Sequence, residues 1–160
     1  MLCIRRPVDA GYNALGGGEQ SSNELLDLLN KNIRANATLL GVDDSGSCAR
    51  VQVEPLLWNE PEHMARIGQV APRIDFIVGA DCFLSAAAMP DLVATLGALS
   101  GESTKLLFAY ELRSDGGQGP FFKLAAGMFT FREVYRDGNV RVTLGTKMKA
   151  EETNTMATSM

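Results

Sequence analysis

The first regular pattern along the chain is a helical one. Ser21 and Glu24 have the spacing of a capping box, in which two side chains satisfy backbone donors at a helix start. The apolar positions that follow lie on one helical face: Leu25, Leu29, Ile33 and Leu40. Gly41 is typical of a helix end, because glycine readily adopts the left-handed conformation found there. We therefore predict a helix over residues 22–40.

Strand patterns then alternate with a second helical one. Three apolar runs have the length of strands: residues 50–57, 74–80 and 105–112. Between the last two, Pro90 suits an early helical position and Gly101 a helix end, which predicts a helix near residues 87–100. Strand, helix and strand in this order predict a parallel βαβ unit. Strands this continuously apolar are usually buried on both faces.

The last part of the chain predicts an antiparallel hairpin. Residues 129–136 and 140–146 alternate in polarity around Asp137 and Gly138, a pair typical of a type I′ turn. The two ends of the chain have no such period: residues 1–21 are interpreted as a divergent or disordered lead-in, and residues 148–160 as a polar tail. The fold class that follows is α/β, with parallel core strands, flanking helices and a C-terminal hairpin.

Composition narrows the classes of function. The 160 residues and 46% apolar content are typical of one globular, water-soluble domain. A formal net charge of −4 supplies no positive field for phosphate backbones, so we expect no nucleic-acid partner. We expect neither a spanning helix nor a signal sequence, hence no membrane partner. Three cysteines, an odd number, fit the cytoplasm better than a disulfide framework. With His63 as the only histidine, a multi-histidine metal site is impossible.

The candidate ligand-binding residues lie where the predicted strands end. Ligands of open parallel sheets bind outside the carboxyl ends of the strands. The first predicted strand ends at Trp58, the second at Asp81, and the third at Glu111, with Arg113 just beyond. An indole can cover a flat ring, and carboxylates accept hydrogen bonds from hydroxyl or amino groups. The sequence therefore predicts one crevice at this edge of the sheet.

Each of these residues also has a purely structural interpretation. Trp58 fits a packing role, Asp81 fits a cap for the following helix, and Glu111 with Arg113 fits an exposed ion pair. The glycines at 16–18 are compatible with a phosphate-binding loop, but such a loop follows a strand directly. No strand is predicted before them, so we interpret them as a flexible linker.

Five segments together resemble a known family. In order along the chain they are residues 24–36, 55–58, 75–83, 109–113 and the pair 121–122. As a set they are similar to the seven-β-strand, S-adenosylmethionine-dependent protein-lysine methyltransferases, and most similar to the group that contains the valosin-containing-protein lysine methyltransferase. The resemblance implies a partial Rossmann-like methyltransferase fold and S-adenosylmethionine as cofactor. It also implies a protein substrate with a target lysine, with an ATPase or a chaperone as candidates.

The resemblance also implies roles for the residues of the predicted crevice. Trp58 and Ala80 match positions that line the cofactor pocket. Asp81 matches the acid of the family's Asp-x-x-Tyr motif, beside the methyl-accepting amine, and is the implied catalytic residue. Glu111 and Arg113 are the candidate substrate-binding residues. Methyl transfer from a sulfonium needs mainly alignment, so a carboxylate that orients the amine supplies much of the catalysis.

The resemblance covers residues 22–147 and departs from the family in the part that would hold the cofactor. Nothing in residues 1–23 matches the family's first strand, glycine-rich loop and following helix. Ser21 stands where the ribose-binding acid would be, and Leu84 replaces the motif's tyrosine. We therefore expect weak or absent cofactor binding by this chain alone and an uncovered sheet edge, as in a truncated gene model, a splice product or a diverged relative. The alternatives are a non-catalytic methyltransferase-like protein-binding module and an unrelated α/β domain.

Overall fold

The computed structural model describes residues 2–4, 18–36, 53–83, 85–114 and 117–149. The chain divides into two compact units, one formed by Met1–Arg6 with Leu57–Met160 and the other by Pro7–Leu56. Among the described residues of the second unit is the helix α1, Gly18–Ala35. The first unit contains the sheet, and with it the candidate site.

The first unit is built on a five-stranded mixed sheet with strand order β1-β2-β3-β5-β4. Its strands are β1 (Leu2–Ile4), β2 (Phe76–Ala80), β3 (Lys105–Glu111), β4 (Phe129–Asp137) and β5 (Val140–Lys147). The first three are parallel, whereas β5 pairs antiparallel with both β3 and β4. The carboxyl ends of β2 and β3 therefore lie at one edge of the sheet, next to the start of β5.

Helices connect these strands. They are α2 (Pro61–Val70), a short 3₁₀ turn (Ala86–Ala88), α3 (Met89–Leu99) and α4 (Gln118–Ala125). Proline stands in the first turn of both α2 and α3, where its missing N–H costs no helical hydrogen bond. Because α3 links the parallel strands β2 and β3, the segment is the βαβ unit that the sequence predicts.

The core lies on one face of this sheet. Leu106, Phe108 and Tyr110 alternate along β3 and are buried, because successive side chains of a strand point to opposite faces. Six aromatic rings pack together there, with centroids of neighbouring rings 4.5–5.8 Å apart. They belong to Phe83, Phe108, Tyr110, Phe121, Phe122 and Phe131. This cluster joins α4 to the sheet and supports the loop that leaves β2.

The predicted α/β fold class is confirmed, and the molecule has a partial Rossmann-like arrangement. The predicted strands near 74–80 and 105–111, the helix near 87–100 and the hairpin near 130–146 all form within a few residues of the expected limits. The division into lead-in, domain at 22–147 and tail stays a prediction, and residues 150–160 lie outside the described part.

The predicted first strand is wrong where the structure describes it. Residues 53–57 form no strand, and residues 50–52 lie outside the described part. The place beside β2 is taken by β1, whose Cys3 pairs with Val78. Since β3 occupies the other side of β2, neither side of β2 is free for the 50–57 segment. β1 is an edge strand of the sheet, and the expectation of an uncovered sheet edge stays a prediction.

The start of the chain contains regular structure that the sequence pattern does not predict. It contains β1, and α1 begins at Gly18 rather than at Ser21, so the predicted capping box lies inside the helix. The statement that no strand precedes the glycines at 16–18 is therefore wrong. Residues 37–41, with the predicted end of this helix, lie outside the described part.

The turn of the hairpin is shifted by one residue from the prediction. Asp137 pairs with Val140, which leaves Gly138 and Asn139 as the connection. Gly138 has a φ of 51°, whereas Asn139 does not have a positive φ. A type I′ turn needs positive φ at both connecting residues, so the predicted type I′ turn at Asp137 and Gly138 is wrong.

Candidate functional site

Asp81 lies at the carboxyl end of β2 in a conformation that turns the chain out of the sheet. Its φ is +50°, in the left-handed region that non-glycine residues rarely adopt. Its N–H donates to the carbonyl of Ala109 at 2.9 Å, one step beyond the last paired residues of β2 and β3, Ala80 and Ala109. Both Ala80 and Asp81 are exposed at this edge.

The carboxylate of Asp81 is available to a ligand. Within the described part of the chain it has no hydrogen bond or ion pair. It does not cap the following helices, whose N-cap residues are Ser85 and Ala88. The structural interpretation of Asp81 as a helix cap is therefore wrong.

Glu111 and Arg113 lie at the carboxyl end of the neighbouring strand. Their side chains form an ion pair of 3.4 Å and are about half exposed, 51% and 46% respectively. An ion pair this exposed contributes on the order of 0–1 kcal/mol to stability. The loop itself is held by its backbone, because Gln118 donates to the Arg113 carbonyl and the Leu112 N–H donates to the Asn139 carbonyl at 2.8 Å.

Trp58 reaches this region from a turn and not from a strand end, which corrects the sequence-based expectation. The turn is closed by the Glu60 N–H, which donates to the Leu57 carbonyl at 3.3 Å. Asn59, the residue after Trp58, has a φ of +59°. The N–H of Asn59 donates to the Thr95 hydroxyl of α3 at 2.7 Å. The turn is thus attached to the helix that begins beyond the carboxyl end of β2.

The Trp58 indole is buried, with 6% of its surface exposed, which agrees with its interpretation as a packing residue. However, its Nε1–H has no hydrogen-bond partner within the described residues. Most buried polar side-chain atoms are hydrogen-bonded, so this donor is one that the described packing leaves unsatisfied. On this observation the region fits a heteroaromatic cofactor better than it fits packing alone.

The structure thus brings most of the predicted crevice together. Ala80 and Asp81 end β2, and Glu111 and Arg113 follow the paired residue of β3, so these four lie along one sheet edge. The turn that carries Trp58 is attached to α3 by Asn59, which contacts Thr95 and Asp91.

Sequence reasoning missed the residues that hold the Trp58 turn. The imidazole Nδ1 of His63 accepts from the Leu57 N–H at 3.0 Å. The Asn59 amide donates to the Asp91 carboxylate at 3.1 Å. Pro61 followed by Glu62 is a helix-start signal that could have located α2. No local signal indicates Thr95, because its contact with Asn59 spans 36 residues.

Tyr110, Glu133 and Arg141 form a second polar group near the same edge, on the core face of β3. Arg141 pairs with Tyr110 across the strands, and its guanidinium contacts the Glu133 carboxylate at 3.1 Å. Burial and the neighbouring Glu133 carboxylate raise the pKa of Tyr110 above its ordinary value, and Arg141 offsets part of this effect. The phenol therefore stays neutral at physiological pH and does not act as a base there.

Two other kinds of site are not found in the described residues. They contain no group of three or more histidine, cysteine or acidic side chains arranged to hold a metal ion. None of their helices has both the length and the apolar content needed to cross a bilayer.

The parallel strands, the βαβ unit and the polar strand ends together define an α/β protein with a candidate ligand site at the carboxyl edge of its sheet. This chain belongs to the lysine methyltransferase family, whose sequence model matches residues 21–127. No curated protein matches it.

Thirteen chains of solved structures also match. One is the 16S rRNA N2 G1207 methyltransferase of T. thermophilus, solved in complex with AdoMet and guanosine. It is 29% identical, with a TM-score of 0.37, and the match covers 47% of this chain and 20% of that chain. The present chain therefore spans about one fifth of the length of that protein.

Proposed function

We propose that this chain carries the methyl-accepting edge of an S-adenosylmethionine-dependent protein-lysine N-methyltransferase site. The observation that carries the proposal is the exposed, unpaired carboxylate of Asp81 at the carboxyl end of β2. Membership of the lysine methyltransferase family supports the reaction class. The five matching sequence segments support the finer assignment, to the group that contains the valosin-containing-protein lysine methyltransferase.

Asp81 has the central role in this proposal. When bound, S-adenosylmethionine supplies a methyl group on a sulfonium: the acceptor nitrogen bonds to that carbon, the carbon–sulfur bond breaks, and its electron pair stays on sulfur. The Asp81 carboxylate accepts a hydrogen bond from the neutral lysine amine and so directs the nitrogen lone pair. It also stabilises the positive charge that develops on the nitrogen, which then loses a proton to solvent.

The other site residues bind and orient. The Trp58 indole offers an apolar surface and a free N–H to the cofactor's adenine, and Ala80 leaves room at the strand end. The exposed charges of Glu111 and Arg113 contact the polypeptide on either side of the target lysine. A cytoplasmic location and an ATPase or chaperone as substrate extend the proposal, on the strength of the sequence resemblance and the cysteine content.

Methyl transfer to a pool of synthetic lysine-containing peptides tests the proposal. S-adenosylmethionine is supplied at millimolar concentration, so that weak binding does not hide the reaction, and methylated peptides are detected by mass spectrometry. Asp81→Asn keeps the side-chain shape and suits a positive φ, so the fold is kept. We expect it to lower the rate by roughly 100-fold, because one preorganised electrostatic contact is lost.

The matched control is Asp75→Asn. Asp75 is also exposed and precedes the amino end of β2, where it pairs with Arg73 at 3.1 Å, so its substitution leaves the rate unchanged. Equal rates for the two variants would contradict the role of Asp81. A folded wild-type chain that methylates none of the peptides would overturn the proposed activity and favour the non-catalytic binding module.

A further inference from the structure

We infer that His63 is a positioning residue for Trp58, and that its neutral imidazole holds the turn that carries the indole. The inference rests on the proposed function, in which Trp58 lines the cofactor pocket. It goes beyond that function because protonating the imidazole releases the turn on which the position of the indole depends. The chain has one histidine and one tryptophan, so both can be observed without interference from a second copy.

The hydrogen bond fixes the protonation state of His63. Its Nδ1 accepts from the Leu57 N–H at 3.0 Å, which requires a lone pair on Nδ1 and places the ring proton on Nε2. Protonation puts a hydrogen on Nδ1 as well, so that two N–H groups face each other. The contact then changes from attractive to repulsive, and Leu57, directly before Trp58, loses its anchor.

Both helices of this region carry charged residues. Glu60, at the N-cap of α2, and Glu62 and Arg66 lie on the helix of His63. Asp91 lies in the first turn of α3, which packs against α2.

The other anchor of the turn is the Thr95 hydroxyl, which does not titrate between pH 5 and pH 8. The Thr95 hydroxyl accepts from the Asn59 N–H at 2.7 Å and donates to the Asp91 carbonyl at 2.8 Å. Thr95 is fully buried. Acid therefore releases the Leu57 side of the turn and leaves the Asn59 side attached. This difference predicts a local rearrangement at Trp58 within a chain that stays folded.

Tryptophan emission and two backbone amides measure the rearrangement between pH 8 and pH 5. We expect the Trp58 emission to shift to longer wavelength in one transition as the pH falls, because the indole becomes more exposed. The Leu57 amide resonance should move with the same midpoint, while the Asn59 amide moves little. Circular dichroism over the same range checks that the chain remains folded. A flat Trp58 emission together with an unmoved Leu57 amide would overturn the inference.

Two variants separate positioning from a general effect of acid. His63→Asn keeps an acceptor atom at the same distance along the side chain but does not titrate, so emission should be constant and close to the neutral wild type. His63→Ala removes the acceptor, so emission should be constant and close to the acidic wild type. A transition that persists in His63→Asn would show that another group causes it.

Binding of S-adenosylhomocysteine links the turn to the cofactor. We expect the wild-type affinity to fall about fivefold from pH 7.5 to pH 5, which corresponds to one net hydrogen bond, and the His63→Asn affinity to change little. If the analogue does not bind at all, the proposed cofactor site fails while the emission and amide transitions still stand. If it binds with equal affinity at both pH values, the positioning role of His63 fails and the cofactor site stands.

Discussion

Gly79 packs against the core and lies two residues before Asp81 of the candidate site. It precedes Ala80 and Asp81 on β2, and a Cβ atom built on it would lie 2.7 Å from two ring carbons of Phe108. The Phe108 ring is 1% exposed and is itself held between other aromatic rings, so it has little room to move. Only glycine fits at this position without a shift of the ring.

We therefore expect Gly79→Ala to lower the free energy of unfolding by about 1–3 kcal/mol, the usual cost of overpacking a core. Urea unfolding measures it. The control is Gly68→Ala in α2, where an added Cβ meets no atom within 4 Å. Alanine is a better helix former than glycine, so this variant should gain up to about 1 kcal/mol. If both variants had the same stability, the close packing of Phe108 on Gly79 would be contradicted.

At the residue scale, the sequence predicts which side chains are candidates but not their conformations. The place of Asp81 after an apolar run predicts a ligand-binding carboxylate. The sequence is equally compatible with Asp81 as a helix cap. What distinguishes the two is the φ of +50° and the location of the N-caps at Ser85 and Ala88. These depend on how the loop after β2 packs, which no local pattern encodes.

At the scale of elements, the end of α3 is fixed by a residue from the last strand. The ammonium group of Lys147 donates to the carbonyls of Gly97 and Ser100 at 2.9 and 2.7 Å. The last carbonyls of a helix lack helical partners, and a cation there also interacts favourably with the helix dipole. This contact ties β5 to the end of the βαβ unit.

We expect Lys147→Met to lower the free energy of unfolding by about 1–2 kcal/mol, because two carbonyls lose a charged donor that is partly exposed to water. Thermal and urea unfolding measure the loss. Lys123→Met is the matched control, since Lys123 is exposed on α4 and its replacement should change stability by less than about 0.5 kcal/mol. Similar losses in both variants would indicate a general effect of charge and not a helix-end contact.

The elements that the sequence predicts well are those with a long or repeated signal. β2, β3, α3 and the hairpin each combine an apolar period with glycine or proline at a boundary. β1 has only three residues, too few for a period, and it becomes a strand because β2 offers it a free edge. The 50–57 segment has the composition of a strand but no neighbour beside β2, because strands are stabilised by pairing and not by propensity alone.

At the scale of the whole molecule, the positions of some candidate site residues can be predicted from the sequence and those of others cannot. Residues after β2 and β3 could be placed at one edge because parallel strands align their carboxyl ends. The sequence predicts Trp58 at the same edge for a different reason, as the end of a strand, and residues 53–57 form no strand. Its neighbours Asn59 and Leu57 are held instead by Thr95 and His63, and a long-range hydrogen bond such as the one to Thr95 forms only when the chain has folded.

The affinity for the proposed cofactor is also a property of the whole molecule. In the family that the chain resembles, a glycine-rich loop and a ribose-binding acid hold the cofactor, and here Ser21 stands at the acid's position. The residues that the proposal assigns to the cofactor are Trp58 and Ala80. Each lost set of contacts costs on the order of 1–3 kcal/mol, since polar groups of the ligand go unpaired. Together they lower the affinity by about two to four decades.

We therefore expect S-adenosylhomocysteine to bind residues 1–160 weakly, with a dissociation constant above about 100 µM, in a calorimetric titration of the folded chain. Trp58→Ala should remove the remaining heat, because it deletes the buried surface and the free N–H that the adenine would meet. Micromolar binding would contradict this expectation.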